Sequence, residues 1–354
     1  MADRHGLFAG IAVIVVCAVF AFQMRAYAME QTAPPALHTD GNLICGPDGK
    51  FVKLKGVNVP CLEWSREGEH LMETLAVAYD QWHCIFVRLP LCQDCWFGRV
   101  PGMTDGGAKY RSIVDDTVAF AARRGCYILL SDTGVWGDDT GRYRMPNGEA
   151  VPFWESLGAR YGGNPAVLMG LYNEAHDVDW DTWLNGGVVE LKPKPSRAGA
   201  QAEAPQQATT TYQAVGFQKL YDVTRAAGAK ENLIVIGGLD WAYDLSGVAG
   251  GKYAIKGTNV VYDAHVYKWK PESSWNKAFL EPSKKLPVLV SEWGGDDSAQ
   301  DFVKKFSQLL KDSPHLGWAA WDMHPVATPT LIKDWTFEPT ETGKVVIEML
   351  KARG

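Results

Sequence analysis

The sequence predicts an α/β fold, a (β/α)8 TIM barrel built as a single domain. Three observations lead there. Short apolar, β-branched runs alternate with longer helical patterns, eight such runs can be counted, and polar residues with chemical potential recur at the C-terminal ends of those runs. Runs of a few apolar residues without polar alternation indicate strands covered on both faces. Repeated βα units imply parallel strands joined by right-handed crossovers. Eight strands suit a closed barrel better than an open doubly wound sheet. No GxGxxG follows the first strand, which removes the main argument for a dinucleotide fold.

In chain order the strands are read at 53–57, 85–88, 127–130, 167–171, 233–236, 260–262, 287–290 and 316–320. Helices are read at 70–81, 110–124, 153–161, 212–227 and 299–310, and the stretch from 345 onward as the end of the last barrel helix. Gly125, Gly228 and Gly257 stand where helices stop and strands approach, as C-terminal capping glycines do. The segment 192–211 breaks the rhythm. It is rich in Pro, Ala, Gln and Thr with almost no large apolar residue, and it reads as a flexible insertion or a lid beyond the fourth strand.

The N-terminus reads as an export leader rather than part of the fold. An apolar run at 7–22 follows a short polar start containing Arg4, and Ala26-Tyr27-Ala28 offers small residues for cleavage after Ala28. The run is short for a membrane span, although an uncleaved signal anchor is the competing reading. On this view residues 1–28 are a signal peptide, 29–354 form the barrel domain, and the protein is secreted, extracellular or periplasmic, without stable membrane association. Of seven cysteines, Cys17 lies in the leader. The others, Cys45, Cys61, Cys84, Cys92, Cys95 and Cys126, are expected to form disulfides in an exported protein, with fifteen pairings open. Cys92-Gln93-Asp94-Cys95 lacks a second pair of ligands at zinc spacing, so no metal or cofactor is expected. The net charge of −6, without a basic stripe, argues against a nucleic-acid partner.

The strand ends carry the functional argument, because barrel active sites form there. Strand one ends in Asn58, strand two in Arg88, strand three in Ser131-Asp132-Thr133 and strand four in Asn173-Glu174. Asp240-Trp241 follows strand five, His265 and Tyr267 follow strand six, Glu292-Trp293-Gly294 ends strand seven, and Trp321-Asp322 ends strand eight. Any one of these has a structural explanation. Their recurrence on one rim points to glycosidic bond cleavage, which needs two carboxyl groups flanking an anomeric carbon. Glu174 and Glu292, on strands across the mouth from each other, are the candidates for general acid/base and nucleophile. Arg88 and Tyr267 are suited to holding Glu292 ionised, His265 to modulating Glu174, Asn173 to bonding a sugar 2-hydroxyl, and Trp321 to flooring the reacting sugar. Trp136, Trp241 and Trp269 are candidates for sugar stacking or, equally, for packing loops onto the barrel.

Val87-Arg88-Leu89-Pro90, Tyr172-Asn173-Glu174-Ala175, His265-Val266-Tyr267, Ser291-Glu292-Trp293-Gly294 and Trp318-Ala319-Ala320-Trp321 resemble, in order, the motifs of glycoside hydrolase family 5. Gly56-Val57-Asn58 and Leu331-Ile332-Lys333-Asp334-Trp335 extend the likeness over nearly the whole chain. The resemblance implies a retaining, cellulase-type enzyme acting on a β-linked polysaccharide or oligosaccharide. In it Glu174 is acid/base, Glu292 is nucleophile, and Arg88, Asn173, His265, Tyr267 and Trp321 surround the substrate; Asn58, at the end of strand one, is a further candidate for binding it. An endo-β-1,4-glucanase is the leading expectation, with a β-mannanase or another family 5 β-glycosidase as the alternative. A catalytically silent carbohydrate-binding barrel is the alternative of another class, and a metal-dependent hydrolase using His176, Asp177, Asp263 and His265 is a third reading. Two departures stand out: Ala175 where the family commonly has Pro, and Thr133 where many members have His.

Overall fold

The computed structural model describes residues 33–138, 141–191 and 210–352. The expected leader, Cys17 and nearly all of the 192–211 insertion lie outside them. No helix among the described residues is long and apolar enough to cross a membrane.

Eight parallel strands close into a barrel: β1 (Lys55–Asn58), β2 (Phe86–Leu91), β3 (Tyr127–Asp132), β4 (Val167–Gly170), β5 (Ile234–Gly237), β6 (Val260–Tyr267), β7 (Val288–Gly294) and β8 (Gly317–Ala320). Each pairs with its neighbour in sequence, and β8 closes on β1 through Trp318 opposite Lys55. The principal helices are α1 (Leu71–Ala76, prolonged by a π-helical turn at Val77–Gln81), α2 (Ala108–Ala122), α3 (Ala150–Tyr161), α4 (Phe217–Ala227), α5 (Gln300–Asp312) and α6 (Glu341–Lys351). An antiparallel hairpin, His38–Asp40 with Leu43–Cys45, covers the bottom of the barrel, where Leu37 and Ile44 join its inner apolar layer.

The strands alternate between two apolar environments. Leu54, Phe86, Leu129, Leu168, Val235, Val261, Leu289 and Ala319 form one buried layer inside the barrel. Their sequence neighbours, such as Val57, Val87, Ile128, Met169 and Ile236, pack outward against the helices. This is the two-residue period of a strand buried on both faces. On the helix side the period changes: α5 buries Val303, Phe306, Ser307 and Leu310, one stripe at helical spacing.

The expected strands are all present, but β6 and β7 run further, so His265, Tyr267 and Glu292 lie within strands rather than after them. The helix expected at 212–227 begins only at Phe217. Thr211–Val215 instead pairs with Gly186–Glu190 as an antiparallel hairpin. Its β-branched and aromatic residues favour that state, and Gly216, extended at φ −75° and ψ 154°, starts the helix. The expected disulfides are also absent: all six cysteines are free thiols. Cys126 Sγ faces the carbonyl oxygen of Cys84 at 3.6 Å rather than its sulfur. Cys92 stands at the N-cap of a short buried helix, Gln93–Trp96, and Cys95 lies within it. Burial pushes the Cys61 thiol up to about 12 and that of Cys126 to about 11.

Candidate active site

Above the inner apolar layer the barrel interior turns polar. Arg88, at 2% side-chain exposure, is the hub. Its Nη1 donates to Asn58 Oδ1 (2.9 Å) and lies 2.7 Å from Glu292 Oε1. Its Nη2 donates to Ser131 Oγ (3.1 Å) and Asn173 Oδ1 (2.7 Å). Asn58 also donates its amide to the carbonyls of Ser291 (2.8 Å) and Ala320 (3.3 Å). The amide of Asn58 is thus occupied by the protein, and the structure makes this residue a brace for Arg88 instead of the substrate contact expected from sequence. Asn173 accepts through its oxygen and leaves its NH2 toward the cleft it lines.

Glu292 reaches the mouth because the β6–β7 and β7–β8 pairings both slip at this level, between Asp263 and His265 on one strand and between Val290 and Trp293 on the other. Such bulges re-aim a side chain. Tyr267 donates its hydroxyl to Glu292 Oε2 at 2.7 Å. His265 sits between carboxylates, with Nδ1 at 2.9 Å from Glu174 Oε1 and 3.4 Å from Glu292 Oε2, and Nε2 at 3.2 Å from Asp263 Oδ2. Asp263 is fixed in turn by the backbone N–H and hydroxyl of Ser291. Burial by itself lowers the His265 pKa, but the charges of Glu292 and Asp263 and the bonds to Asp263 and Glu174 outweigh it and lift it to about 10. The ring is therefore an imidazolium at neutral pH. Burial pushes Glu292 above the usual carboxylate range; His265 and Arg88 oppose this, Glu174 adds to it, and the Tyr267 hydrogen bond opposes it.

One carboxylate oxygen of Glu174, one of Glu292 and a ring nitrogen of His265 all lie within 4.8 Å of one another. Glu174 stands at φ +55°, a strained left-handed backbone of the kind that gathers at functional sites. The two glutamates open into a cleft of about 450 Å³ lined also by Glu63, Thr133, Tyr143, Asn173, Trp241, Tyr267, Trp269 and Trp321.

The aromatic expectations divide. Trp321 lines the cleft with its indole N–H held by Ala327 O at 3.0 Å. Trp269 is exposed and stacks on Tyr267 at 4.8 Å between centroids. Trp241 lines the cleft and stacks on His176 at 3.6 Å, carried by a loop whose Asp240, Trp241 and Ala242 all have positive φ. Trp136 takes the second of its two expected roles: it packs against the core, is not among the residues lining the cleft, and donates its backbone N–H to Asp94 Oδ2 at 3.0 Å. The ring nitrogens of His176 both face backbone carbonyls, of Glu174 and Gly141, so it is not set up as a metal ligand. Thr133, in place of the common family His, lines the cleft and donates its hydroxyl to Leu91 O.

Sequence reasoning missed Glu63, Tyr143 and the bracing role of Asp263. Asp263 had a usable signal, since it lies two residues before His265 in a strand and shares its face. Glu63 and Tyr143 stand in loops, where no periodicity marks a side chain as facing the cleft.

A closed parallel barrel with a carboxyl pair across its C-terminal mouth has the architecture of a barrel-type glycoside hydrolase. The chain belongs to the cellulase family, glycosyl hydrolase family 5, which it matches over residues 45–326. Its relatives include endoglucanase MaCel5A of Microbulbifer sp. (strain ALW1), 22% identical over 304 residues that cover 81% of this chain and 50% of the relative. Endoglucanase A of Butyrivibrio fibrisolvens is 23% identical over 267 residues, 75% of this chain and 53% of the relative. The chain thus spans about half the length of these curated relatives. Among solved structures, a β-glucanase from Saccharophagus degradans in complex with cellotetraose superposes with a TM-score of 0.66 at 19% identity, covering 90% of this chain and 93% of that one. The catalytic domain of the major endoglucanase from Xanthomonas campestris pv. campestris gives 0.65 at 18% identity, covering 89% and 99%. At these identities the likeness is one of fold.

Proposed function

We propose that this protein is an exported, retaining endo-β-1,4-glucanase. The observation that carries the retaining reading is the closeness of the two carboxyl groups, within 4.8 Å oxygen to oxygen. Retaining enzymes hold the pair about 5–5.5 Å apart, whereas inverting enzymes need about 6.5–9.5 Å to admit a water between them. Glu292 attacks the anomeric carbon as the bond to the glycosidic oxygen breaks, and Glu174 gives its proton to that oxygen. Glu174, now a carboxylate, takes a proton from water. The water oxygen then displaces Glu292 from the anomeric carbon. Arg88 and Tyr267 orient the attacking carboxylate and accept its charge when it is released. His265 orients Glu174, Asn173 offers its NH2 to a sugar hydroxyl, and Trp321 floors the reacting sugar with Trp241 and Trp269 as stacking surfaces. The choice of β-1,4-glucan is supported by relatives named endoglucanases and by the family.

The test is reducing-end release from carboxymethylcellulose, mannan, xylan and mixed-linkage glucan, with NMR of the anomeric configuration of the first product. Glu174→Gln and Glu292→Gln are each expected to lose at least about 10³-fold in kcat, the scale on which loss of one member of a catalytic unit acts. Net inversion, or turnover surviving both substitutions, overturns the mechanism. Preference for mannan replaces glucan with mannan as the substrate.

A further inference from the structure

Four acids line the cleft: Glu63, Asp138, Glu174 and Glu292. Glu174 and Glu292 form the reacting pair, and Asp138 accepts the backbone N–H groups of Arg142 and Tyr143 at 3.0 Å each. Glu63 remains without a task. Its Oε2 is buried and no protein group bonds it, a costly state for a carboxyl oxygen unless something else completes its hydrogen bonding.

The placement of Glu63 says what that something is. Glu63 follows β1, which neighbours β2 with Arg88 and β8 with Trp321, and lies across the barrel from β5 and its Trp241. The loop is held rigidly. The Glu63 backbone N–H donates to Pro60 O at 2.9 Å. The buried Tyr110 hydroxyl donates to Leu62 O at 2.6 Å and accepts from the Cys92 backbone at 3.0 Å. The side chain therefore stands preorganised in the cleft on the Glu292 side, as a binding group should. Burial, then the charge of Glu292, raise its pKa; Arg88 opposes them and Glu174 adds to them, leaving it at about 8. At neutral pH Glu63 keeps its proton and has both a donor and an acceptor to offer, the complement of a sugar hydroxyl.

We propose that Glu63 is a substrate-binding, specificity-determining residue whose carboxyl group, at the cleft wall, bonds a hydroxyl of the sugar attacked by Glu292. The inference rests on the glycosidase reading above. No protein group bonds Oε2, so the role proposed for the carboxyl group belongs to the complex and not to the fold.

The experiment compares wild type with Glu63→Leu and Glu63→Gln. Steady-state kinetics use cellotetraose and mannotetraose. Calorimetric affinities for the same two sugars are measured in the Glu174→Gln background, and thermal unfolding without sugar completes the set. Expected for Glu63→Leu is a loss of about 10–100-fold in kcat/KM and a comparable weakening of affinity on the sugar that wild type uses, with no fall in melting temperature. Glu63→Gln, which keeps a donor and an acceptor, is expected to recover to within a few-fold of wild type. Unchanged kinetics and affinity in Glu63→Leu overturn the role of Glu63 and leave the glycosidase reading standing. A loss that tracks a lowered melting temperature and is not rescued by Gln overturns it in favour of a purely structural residue. Folded wild type that neither binds nor cleaves a β-glycan overturns the glycosidase reading and this inference with it.

Discussion

Arg88 has a full charge at 2% exposure, and four side chains depend on it. Removing one partner of such a buried pair leaves the other charge uncompensated. Arg88→Met is therefore expected to lower folding stability by about 3–5 kcal/mol, read by urea denaturation at neutral pH; a change under about 1 kcal/mol would show that the hub is not needed to hold the mouth together. The same substitution bears on the reaction. Burial raises the Glu292 pKa while His265 and Arg88 hold it down. The acid limb of kcat/KM against pH is expected above the ordinary glutamate value of about 4.3, and in Arg88→Met it moves higher still. A wild-type limb at or below the ordinary value would contradict this account of Glu292.

At the scale of elements, the site depends on strands approaching one another where no side chain fits. Gly56 in β1 is the sharpest case: a Cβ there would sit 1.9 Å from Phe86 O in β2. Gly56→Ala must push β1 from β2, and with them Asn58 from Arg88. Loss of soluble folded protein or a fall of several degrees in melting temperature is expected, checked by circular dichroism on heating. The bulges in β6 and β7 act in the opposite sense, adding length where the side chains must turn into the mouth. The hairpin of Gly186–Glu190 with Thr211–Val215 is an appendage to this scheme. Glu190 faces Thr211 in register, and Leu191 N–H donates to Thr210 O at 2.8 Å. The two arms thus arrive side by side, ready for a tight turn. Replacing residues 192–209 by a two-residue Asn-Gly turn is expected to leave stability within about 0.5 kcal/mol of wild type, measured by urea denaturation.

For the whole molecule, buried groups set how stability depends on pH. Burial raises Asp132 to about 7, against hydrogen bonds from Gln93 and Gly134, and Glu63 stands at about 8. An acid whose folded pKa is raised contributes stability fully below its unfolded value and loses that contribution as pH rises through the folded value. The Asp132 contribution therefore disappears between about pH 4 and 7, and that of Glu63 between about pH 4.5 and 8. His265, raised to about 10, contributes fully below about pH 6.5 and loses its share as pH rises through 10. Urea midpoints are expected to fall with rising pH across these windows, and Asp132→Asn to flatten the portion between pH 4 and 7. An unchanged slope in that variant would exclude Asp132 as its source.

The barrel and its rim were legible in the chain itself. A strand buried on both faces writes its location as an apolar run, and a barrel writes its mouth as polar residues after each run, so Arg88, Glu174, His265 and Glu292 could be placed on one rim from the sequence. Local chemistry does not encode which polar atoms are already taken. Asn58 was expected at the substrate, and the fold gives its amide to the carbonyls of Ser291 and Ala320 instead. Glu63 gave no sign in the sequence, since its position in the cleft depends on β1 lying between β8 and β2 and on a tyrosine in α2 reaching back to its loop. Those are contacts between residues far apart in the chain. Period and composition report on the environment of a residue's own segment, whereas the partner of a buried polar group is chosen only when the barrel closes.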